Sequence, residues 1–261
     1  MELGLSGKTA LITGASRGIG RAIADALARE GCHLILVSRS EADLAAARDE
    51  IIAAAPDINV RICAADLREL KAIASIVREF REVDILVNNA GAIPHGGLLD
   101  VEDNAWLDGW QLKVFGHIRM TRGLYASMKS RGGGVIINVI GYAGERLLAT
   151  YIAGSSGNAA LIAFTKAVGA VSPADGIRVV GVNPGPILTE RLQKRLEKRA
   201  GEELGAASRW PELTRDFPFG RAGMPAEVAD TVAFLASARA GYITGTVINV
   251  DGGMANRPIS T

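Results

Sequence analysis

The feature of this chain that most constrains its fold is a regular alternation of short apolar runs with longer segments of helical period. The runs predict seven strands, at residues 9–13, 34–37, 60–64, 85–87, 135–139, 179–182 and 246–250. The segments between and after them predict helices at residues 19–29, 41–54, 67–80, 106–129, 152–168 and 226–236. Such alternation is typical of right-handed βαβ units that form a parallel, doubly wound sheet with helices on both faces.

The length of 261 residues is enough for one α/β domain with a substantial core, so we predict a single domain over residues 1–261. Residues 188–224 are the longest departure from the alternation. They begin with a charged amphipathic stretch at 192–204, and Trp210, Phe217 and Phe219 follow it. We interpret this insertion as a lid over the substrate, with a packed surface excursion as the alternative.

The charge balance argues against large anionic partners. With 29 basic and 28 acidic side chains, the net charge is +1, so neither nucleic acid nor a membrane surface is an expected partner. No stretch approaches the roughly 20 apolar residues of a membrane span, and residues 1–7 are too short and polar for a signal peptide. We therefore expect a cytoplasmic protein. Cys32 and Cys63 are predicted to be buried thiols, and no metal-ligand spacing is present.

A glycine-rich turn with the sequence TGASRGIG occupies residues 13–20, between the first predicted strand and the first predicted helix. Residues without a Cβ let a phosphate approach the backbone, and the N–H groups of a helix N-terminus attract that phosphate. In this βα context, the turn predicts binding of a dinucleotide pyrophosphate.

Four motifs together resemble the short-chain dehydrogenase/reductase family. They are the TGxxxGxG turn, NNAG at 88–91, NPG at 183–185, and GT at 245–246 with DGG at 251–253. They occur in the family's order and spacing over nearly the whole chain. The resemblance implies a Rossmann-type seven-stranded sheet of order 3-2-1-4-5-6-7, with a nicotinamide cofactor across its carboxyl edge. It also implies a small-molecule substrate and a homotetramer or dimer, since closed symmetry is common for such assemblies.

The resemblance assigns cofactor contacts residue by residue. The pyrophosphate contacts are Gly14, Ser16, Gly18, Ile19 and Gly20; the adenine contacts are Asp66 and Leu67; the ribose contacts are Asn88, Ala90 and Gly91; the nicotinamide contacts are Pro184, Gly185, Ile187 and Thr189.

The end of the second predicted strand indicates which cofactor binds. Ser38 stands where an acidic residue would bind the ribose of NAD, while Arg39 and Arg17 offer two guanidiniums for a 2′-phosphate. We therefore predict that NADP(H) is preferred over NAD(H). The alternative is that either arginine is only a solvated surface charge.

The catalytic residues implied by the resemblance are an Asn, a Ser, a Tyr and a Lys. The phenol exchanges the proton, the ammonium lowers the phenol's pKa and binds ribose, and the hydroxyl polarises the carbonyl. Alignment places Lys113 at the Asn, Gly141 at the Ser, Gly154 at the Tyr and Asn158 at the Lys. All four positions are substituted, although Asn158 remains a candidate cofactor contact.

Three residues are candidates for a rearranged acid–base group: Lys113, Tyr151 and Tyr142. Neither tyrosine keeps the family's spacing to a Lys. Lys113 and Asn158 are the family's Lys and Asn with their places exchanged, which keeps one ammonium and one amide in the site. The alternative is an exposed helix lysine and a merely tolerated Asn158.

Two glycines and four polar residues complete the candidates. Gly154 and Gly157 each lower helix propensity by roughly 1 kcal/mol relative to Ala, which suggests that the site needs room for a ligand or the cofactor. The further polar candidates near the predicted site are His95, His117, Glu145 and Arg146.

The resemblance and the residues together predict an NADP(H)-dependent oxidoreductase that acts on an alcohol/carbonyl pair with a non-standard active site. A cofactor-binding protein without redox turnover, such as a pseudoenzyme or a regulatory subunit, is one alternative. A cofactor-assisted lyase or hydrolase is another.

Overall fold

A computed structural model describes residues 2–257 and contains a parallel sheet of seven strands. The strands are β1 (Thr9–Thr13), β2 (His33–Ser38), β3 (Val60–Ala64), β4 (Ile85–Asn88), β5 (Gly134–Val139), β6 (Ile177–Pro184) and β7 (Val247–Val250). Their order is β3-β2-β1-β4-β5-β6-β7, and every neighbouring pair is parallel. This confirms the predicted Rossmann-type fold. The strand order reverses beside β1, and in such sheets ligands bind at the carboxyl ends near that point.

Within residues 2–257, eight α-helices connect and follow the strands. They are α1 (Gly18–Arg29), α2 (Glu41–Ala54), α3 (Leu70–Glu79), α4 (Asp103–Trp110), α5 (Gly116–Ser130), α6 (Ile152–Val171), α7 (Glu190–Leu204) and α8 (Pro225–Ala236). Successive residues of β1 show how the helices cover both faces. Ile12 packs in a core with α1, α2 and α8, whereas Leu11 packs in a second core with α3 and α5. None of the helices in residues 2–257 has the length and apolar character needed to cross a bilayer.

The predicted helix at 106–129 is not one continuous α-helix. A π-helical segment, Gln111–Phe115, separates α4 from α5. Single π turns inside α-helices are frequent at functional sites. Here the turn includes Lys113 and Val114, both of which are buried. Hydrophobic period alone does not distinguish a π turn from a regular α-helical turn, so the sequence prediction missed it.

The predicted start of α3 at residue 67 is also wrong, because a turn precedes the helix. The backbone N–H of Glu69 donates to the carbonyl of Asp66, and that of Arg68 donates to the Asp66 carboxylate. An Asp side chain that binds the backbone two residues on stabilises a turn in place of a helix. The helix therefore begins at Leu70.

The two cysteines differ in exposure. Cys32 is fully buried, its thiol donates to the carbonyl of Leu5, and burial raises its pKa to about 12. Cys63 is only half-buried, so the prediction of a buried thiol is wrong there. The reason is position, because β3 lies at the edge of the sheet and has a neighbouring strand on one side only.

The segment 188–224 contains α7 and two short 3-10 helices, Ala207–Thr214 and Pro218–Gly220. Its first helix is capped by Thr189, whose hydroxyl accepts from the Leu192 N–H. Trp210 and Phe217 pack against a small core that includes Leu192, whereas Phe219 is 85% exposed and has φ of +58°. The segment therefore has apolar contacts of its own and also leaves one aromatic ring in solvent.

Candidate active site

The glycine turn between β1 and α1 has the geometry of a phosphate cradle. Gly14 and Gly18 have φ of +67° and +60°, which favours glycine, and a Cβ on Gly20 would lie 2.2 Å from the Gly14 carbonyl oxygen. The amide of Asn89 supports the turn by donating to the carbonyls of Thr13 and Gly14. The first turn of α1 has no acidic residue and no side-chain cap. Its free N–H groups and the helix dipole therefore favour an anion at this end.

A cavity of about 620 Å³ extends from this turn across the carboxyl ends of the strands. Most of the predicted cofactor contacts line it: Gly14, Ser16, Arg17, Gly18, Ile19, Ser38, Arg39, Leu67, Ala90, Gly91, Pro184, Gly185 and Thr189. Lys113 and Gly141 lie in its wall as well. The cavity therefore joins the predicted phosphate site to the predicted catalytic region.

Five predicted contacts lie outside the wall of this cavity. Gly20 packs on the Gly14 carbonyl, and Ile187 lines a smaller cavity of about 270 Å³. Asn88 is fully buried and donates to Thr121 and Asn138. Asn88 therefore has a structural role inside the fold. The other two are Asp66, whose carboxylate binds Arg68, and Asn158, which lies next to Gly141.

The Asp66 carboxylate is engaged by a neighbouring arginine. Three nitrogen atoms of Arg68 contact it, with the shortest distance 2.6 Å. The hydrogen bond from Arg68 is the largest cause that lowers the pKa of Asp66. The cavity wall here consists of Ala65 and Leu67, on either side of Asp66. The Asp66 carboxylate itself does not line the cavity.

The carboxyl end of β2 also offers polar groups without partners. The buried hydroxyl oxygen of Ser38 has no hydrogen-bond partner among residues 2–257. Arg17 and Arg39 are exposed, line the cavity and form no ion pair within those residues. Asp43 also reaches this wall. The orphaned hydroxyl and the glycine cradle fit the ribose and pyrophosphate of a dinucleotide.

Lys113 is a buried lysine in the wall of the cavity. Its side chain packs on Gly91, where a Cβ would lie 2.8 Å from Lys113 Cδ. Its ammonium donates to the Ile140 carbonyl at 2.5 Å. Burial, followed by the charge of Arg191, lowers the pKa of Lys113 to about 8. The alternative of an exposed helix lysine is therefore wrong.

Gly154 is covered by the ring of Tyr151. A Cβ at position 154 would lie 1.9 Å from Tyr151 Cζ, and the ring also stacks on His95 at 4.2 Å between centroids. At Gly157, a Cβ would lie 3.2 Å from the indole nitrogen of Trp110. The interpretation that these glycines leave room for a ligand is wrong, because protein side chains occupy the space.

Asn158 and Lys113 lie on either side of the peptide at residues 140–141. Asn158 is 2% exposed, its Oδ1 has no hydrogen-bond partner among residues 2–257, and a Cβ on Gly141 would lie 3.0 Å from its Nδ2. Lys113 binds the carbonyl of Ile140. One ammonium and one amide therefore remain at this turn.

The two candidate tyrosines lie outside the wall of the large cavity. Burial is the largest influence on each and raises the pKa of Tyr142 and of Tyr151. The charges of Arg191 and Arg195 oppose that rise at Tyr151. Both phenols are thus weaker acids near neutral pH than the Lys113 ammonium.

The remaining polar candidates have defined partners. His117 is buried, contacts the Ala90 carbonyl at 3.1 Å, and has its pKa lowered to about 3, mainly by burial. Glu145 accepts hydrogen bonds from the amides of Asn183 and Asn249, and Arg146 donates to the Met254 carbonyl. Residues 2–257 contain no group of three or more His, Cys, Asp or Glu side chains placed to hold a metal ion.

Sequence reasoning missed three residues at this site. Asn89 belongs to the NNAG motif but received no role, although it supports the glycine turn. Arg191 and Arg195 belong to the charged stretch that predicted an amphipathic helix. Arg191 contacts Gly91 and Arg195 contacts His95, each across 100 positions of sequence. The local signals of where this helix begins are the N-cap at Thr189 and the acidic Glu190 in its first turn.

The sheet order and the phosphate cradle define an α/β protein of the Rossmann class with a dinucleotide site. Residues 14–255 match a family described as enoyl-(acyl carrier protein) reductase. A 3-oxoacyl-[acyl-carrier-protein] reductase from Escherichia coli is 36% identical over 257 residues, which cover 97% of this chain and 99% of that protein. The chain belongs to the short-chain dehydrogenase/reductase family.

Two solved structures are similar over almost the full chain. The L-sorbose reductase of Gluconobacter frateurii, complexed with NADPH and L-sorbose, has a TM-score of 0.93 and 34% identity, with coverage of 99% of this chain and 100% of that chain. An NADPH-dependent reductase involved in bacilysin biosynthesis has a TM-score of 0.90 and 29% identity, with coverage of 97% and 100%.

Proposed function

We propose that this protein is an NADP(H)-dependent oxidoreductase that interconverts a carbonyl and an alcohol on a small molecule. We further propose that its active site is non-standard, with Lys113 as the acid–base group. The observation that carries the proposal is the position of Lys113, a buried lysine in the wall of the dinucleotide cavity. Its pKa of about 8 lets the ammonium release a proton near neutral pH.

The preference for NADP(H) rests on three residues at the adenosine end. Arg17 and Arg39 supply guanidiniums that form no ion pair within residues 2–257, and Ser38 supplies a buried hydroxyl without a hydrogen-bond partner there. A 2′-phosphate pairs well with guanidiniums. The L-sorbose reductase that resembles this chain is complexed with NADPH, which supports the same preference.

In the proposed mechanism, a nicotinamide cofactor held by the glycine turn and by Pro184 and Gly185 would supply the hydride that the carbonyl carbon accepts. The Lys113 ammonium donates a proton to the carbonyl oxygen, so the carbonyl gains a hydride and a proton and becomes an alcohol. The Ile140 carbonyl holds the lysine in place through the 2.5 Å hydrogen bond. In the reverse direction the neutral amine accepts the hydroxyl proton.

We assign the proton to Lys113 in preference to the tyrosines. Tyr142 and Tyr151 lie outside the cavity wall, and burial raises the pKa of each. Asn158 also lies outside this wall, so its amide contacts the turn at Gly141 from the protein interior.

The first turn of α7 lies beside this site, which supports the proposal that residues 188–224 act as a lid. Thr189, Glu190, Arg191 and Lys194 all line the cavity. We propose that the segment moves to admit the substrate and closes over it, as substrate-side segments of many enzymes do. A single domain over residues 1–261, a homotetramer or dimer, and a cytoplasmic location remain predictions.

The proposal is tested by following NADPH oxidation with a panel of small ketones and ketoses, L-sorbose among them. The wild-type protein is compared with Lys113→Met and with Lys166→Met, which removes an exposed lysine on α6. We expect Lys113→Met to lose at least about a hundredfold in kcat, because general acid catalysis contributes that much or more. The control is expected to retain wild-type turnover.

One observation favours a second candidate, a cofactor-binding protein without redox turnover. The two positions aligned with the family's Ser and Tyr are glycines, and the space beside them is occupied by Asn158 and Tyr151. Under this alternative, NADPH binds to the wild-type protein and no carbonyl compound in the panel is reduced. That result would contradict the redox proposal.

A further inference from the structure

We propose that Arg191 and Arg195 bind an anionic group of the substrate, a carboxylate or a phosphate, next to the carbonyl that reacts. This inference rests on the proposed function and names its substrate class. The two arginines lie four residues apart at the start of α7, so they occupy the same face of the helix.

Arg191 lies beside Lys113 in the wall of the cavity. Both terminal nitrogens of its guanidinium donate to the Gly91 carbonyl at 3.3 Å. Gly91 is the residue on which the Lys113 side chain packs. The guanidinium is also close enough to lower the pKa of Lys113. A guanidinium has five N–H donors, so these two contacts leave others free for a ligand.

Arg195 lies beside the stacked rings of His95 and Tyr151. Its Nη1 lies 2.7 Å from His95 Nε2, and the His95 ring stacks on Tyr151. Because a guanidinium only donates, Nε2 accepts and the imidazole is neutral in this contact. Burial is the largest cause that lowers the pKa of His95, and the two arginine charges add to it.

The other cations of α7 are paired, whereas these two are not. Three ion pairs join residues four positions apart along the helix: Glu190 with Lys194, Lys198 with Glu202, and Arg199 with Glu203. Arg191 and Arg195 form no ion pair within residues 2–257. Like charges at this spacing repel each other, so an anion between them would relieve that repulsion.

The acidic groups near this site have other partners. Asp251 accepts from the N–H groups of Gly253 and Ala255, and Glu145 accepts from two asparagine amides. Asp100 accepts from the Gly97 N–H. Within residues 2–257, the guanidiniums of Arg191 and Arg195 therefore stand beside Gly91 and His95 with no acidic side chain paired to them.

The resulting substrate class is a keto acid, a hydroxy acid, or a phosphorylated ketose. Its anionic group would bind the α7 arginines while its carbonyl oxygen lies at Lys113. A charged group held in this way also fixes the orientation of the carbonyl, which is the main contribution of a substrate-positioning residue.

The test is calorimetric titration of the protein saturated with NADP⁺, at low salt, using two pairs of probes matched in their carbonyl. One pair is 4-oxopentanoate and its methyl ester; the other is dihydroxyacetone phosphate and dihydroxyacetone. The variants are Arg191→Gln and Arg195→Gln. The matched control is Arg199→Gln, which removes an equal charge from the same helix where it pairs with Glu203.

We expect at least one charged probe to bind about tenfold or more tightly than its neutral partner. Each site variant should remove about tenfold of that affinity, as expected for a hydrogen bond between charged groups. The control should retain the affinity. The pair with the larger difference identifies carboxylate or phosphate as the preferred group.

Equal binding of charged and neutral probes would overturn the inference. It would also be overturned if Arg199→Gln lost as much affinity for the charged probe as Arg191→Gln and Arg195→Gln do. Failure of the proposed function is recognised separately, as an absence of NADPH oxidation with the panel of ketones and ketoses. Binding of the probes by the α7 arginines is measured without turnover, so the two failures are distinguishable. If NADP⁺ itself does not bind, the probes are titrated into an Arg17→Gln, Arg39→Gln double variant, which removes the competing phosphate site.

Discussion

The ring of Tyr151 occupies the space that any side chain at position 154 would need. A Cβ on Gly154 would lie 1.9 Å from Tyr151 Cζ and 2.0 Å from Cε1. The glycine therefore permits the tyrosine three residues before it to fold back onto the start of α6, where it stacks on His95. This contact places the Tyr151 phenol beside His95 and outside the wall of the large cavity.

We predict that Gly154→Ala lowers the melting temperature, because the added methyl displaces a packed ring at a cost of about 1 to 3 kcal/mol. Adding Tyr151→Ala to this variant should remove the clash, so the second substitution should cost less in the Gly154→Ala background than in the wild type. Gly201→Ala is the control, since a Cβ there meets nothing within 4 Å. An Ala in that helix should stabilise by up to about 1 kcal/mol. Equal effects at both glycines would contradict the packing described.

The cofactor preference gives a second prediction. Arg17→Gln and Arg39→Gln should each weaken NADPH binding by about tenfold, because each removes a charged contact to the 2′-phosphate. Binding of NADH should change less than twofold. Nicotinamide fluorescence titration at one fixed salt concentration measures both constants, with Arg29→Gln, at the far end of α1, as the control. If NADH binds more tightly than NADPH to the wild type, the phosphate assignment is wrong.

A third prediction concerns the thiols. In the native protein one thiol per chain should react with a disulfide reagent at pH 8, and two should react after unfolding. Burial raises the pKa of both thiols, but Cys63 is only half-buried, whereas Cys32 is fully buried and its pKa rises to about 12, which leaves almost no thiolate at that pH. Cys63→Ser should abolish the native reaction and Cys32→Ser should leave it intact. Reaction of Cys32 at the same rate as Cys63 would show that the β1–α1 side of the core opens readily.

The fold was predictable because each of its signals is local. Short β-rich runs, the glycine turn at residues 13–20, and the helical periods between them each appear within a few neighbouring residues. The sheet order then follows from the motifs that resemble the family. Most of the predicted cofactor contacts line the large cavity, whereas Gly20, Asp66, Asn88, Asn158 and Ile187 do not, and the carboxylate of Asp66 is engaged by an arginine two residues away.

The region around Lys113 and the start of α7 was less predictable from the sequence, because its contacts join residues that are far apart in the chain. The π-helical turn that buries Lys113 leaves no clear mark on the hydrophobic pattern. Arg191 meets Gly91 and Arg195 meets His95 only after the sheet has formed. Such tertiary contacts decide whether a lysine is buried. The sequence alone therefore left open whether Lys113 is a buried lysine of the site or an exposed lysine on a helix.

The most direct test of the central claim is the pH dependence of kcat for NADPH-driven reduction, measured for the wild type and for Lys113→Arg. Burial lowers the pKa of Lys113 from 10.5 to about 8, and reduction requires the protonated form. We predict that kcat is constant below pH 7 and falls as the pH rises through about 8, while the reverse oxidation rises over the same range. Arg stays protonated throughout, so any residual reduction by Lys113→Arg should lose this fall. A wild-type profile that is flat from pH 6 to 10, or one retained unchanged in Lys113→Arg, would contradict the assignment of Lys113 as the acid–base group.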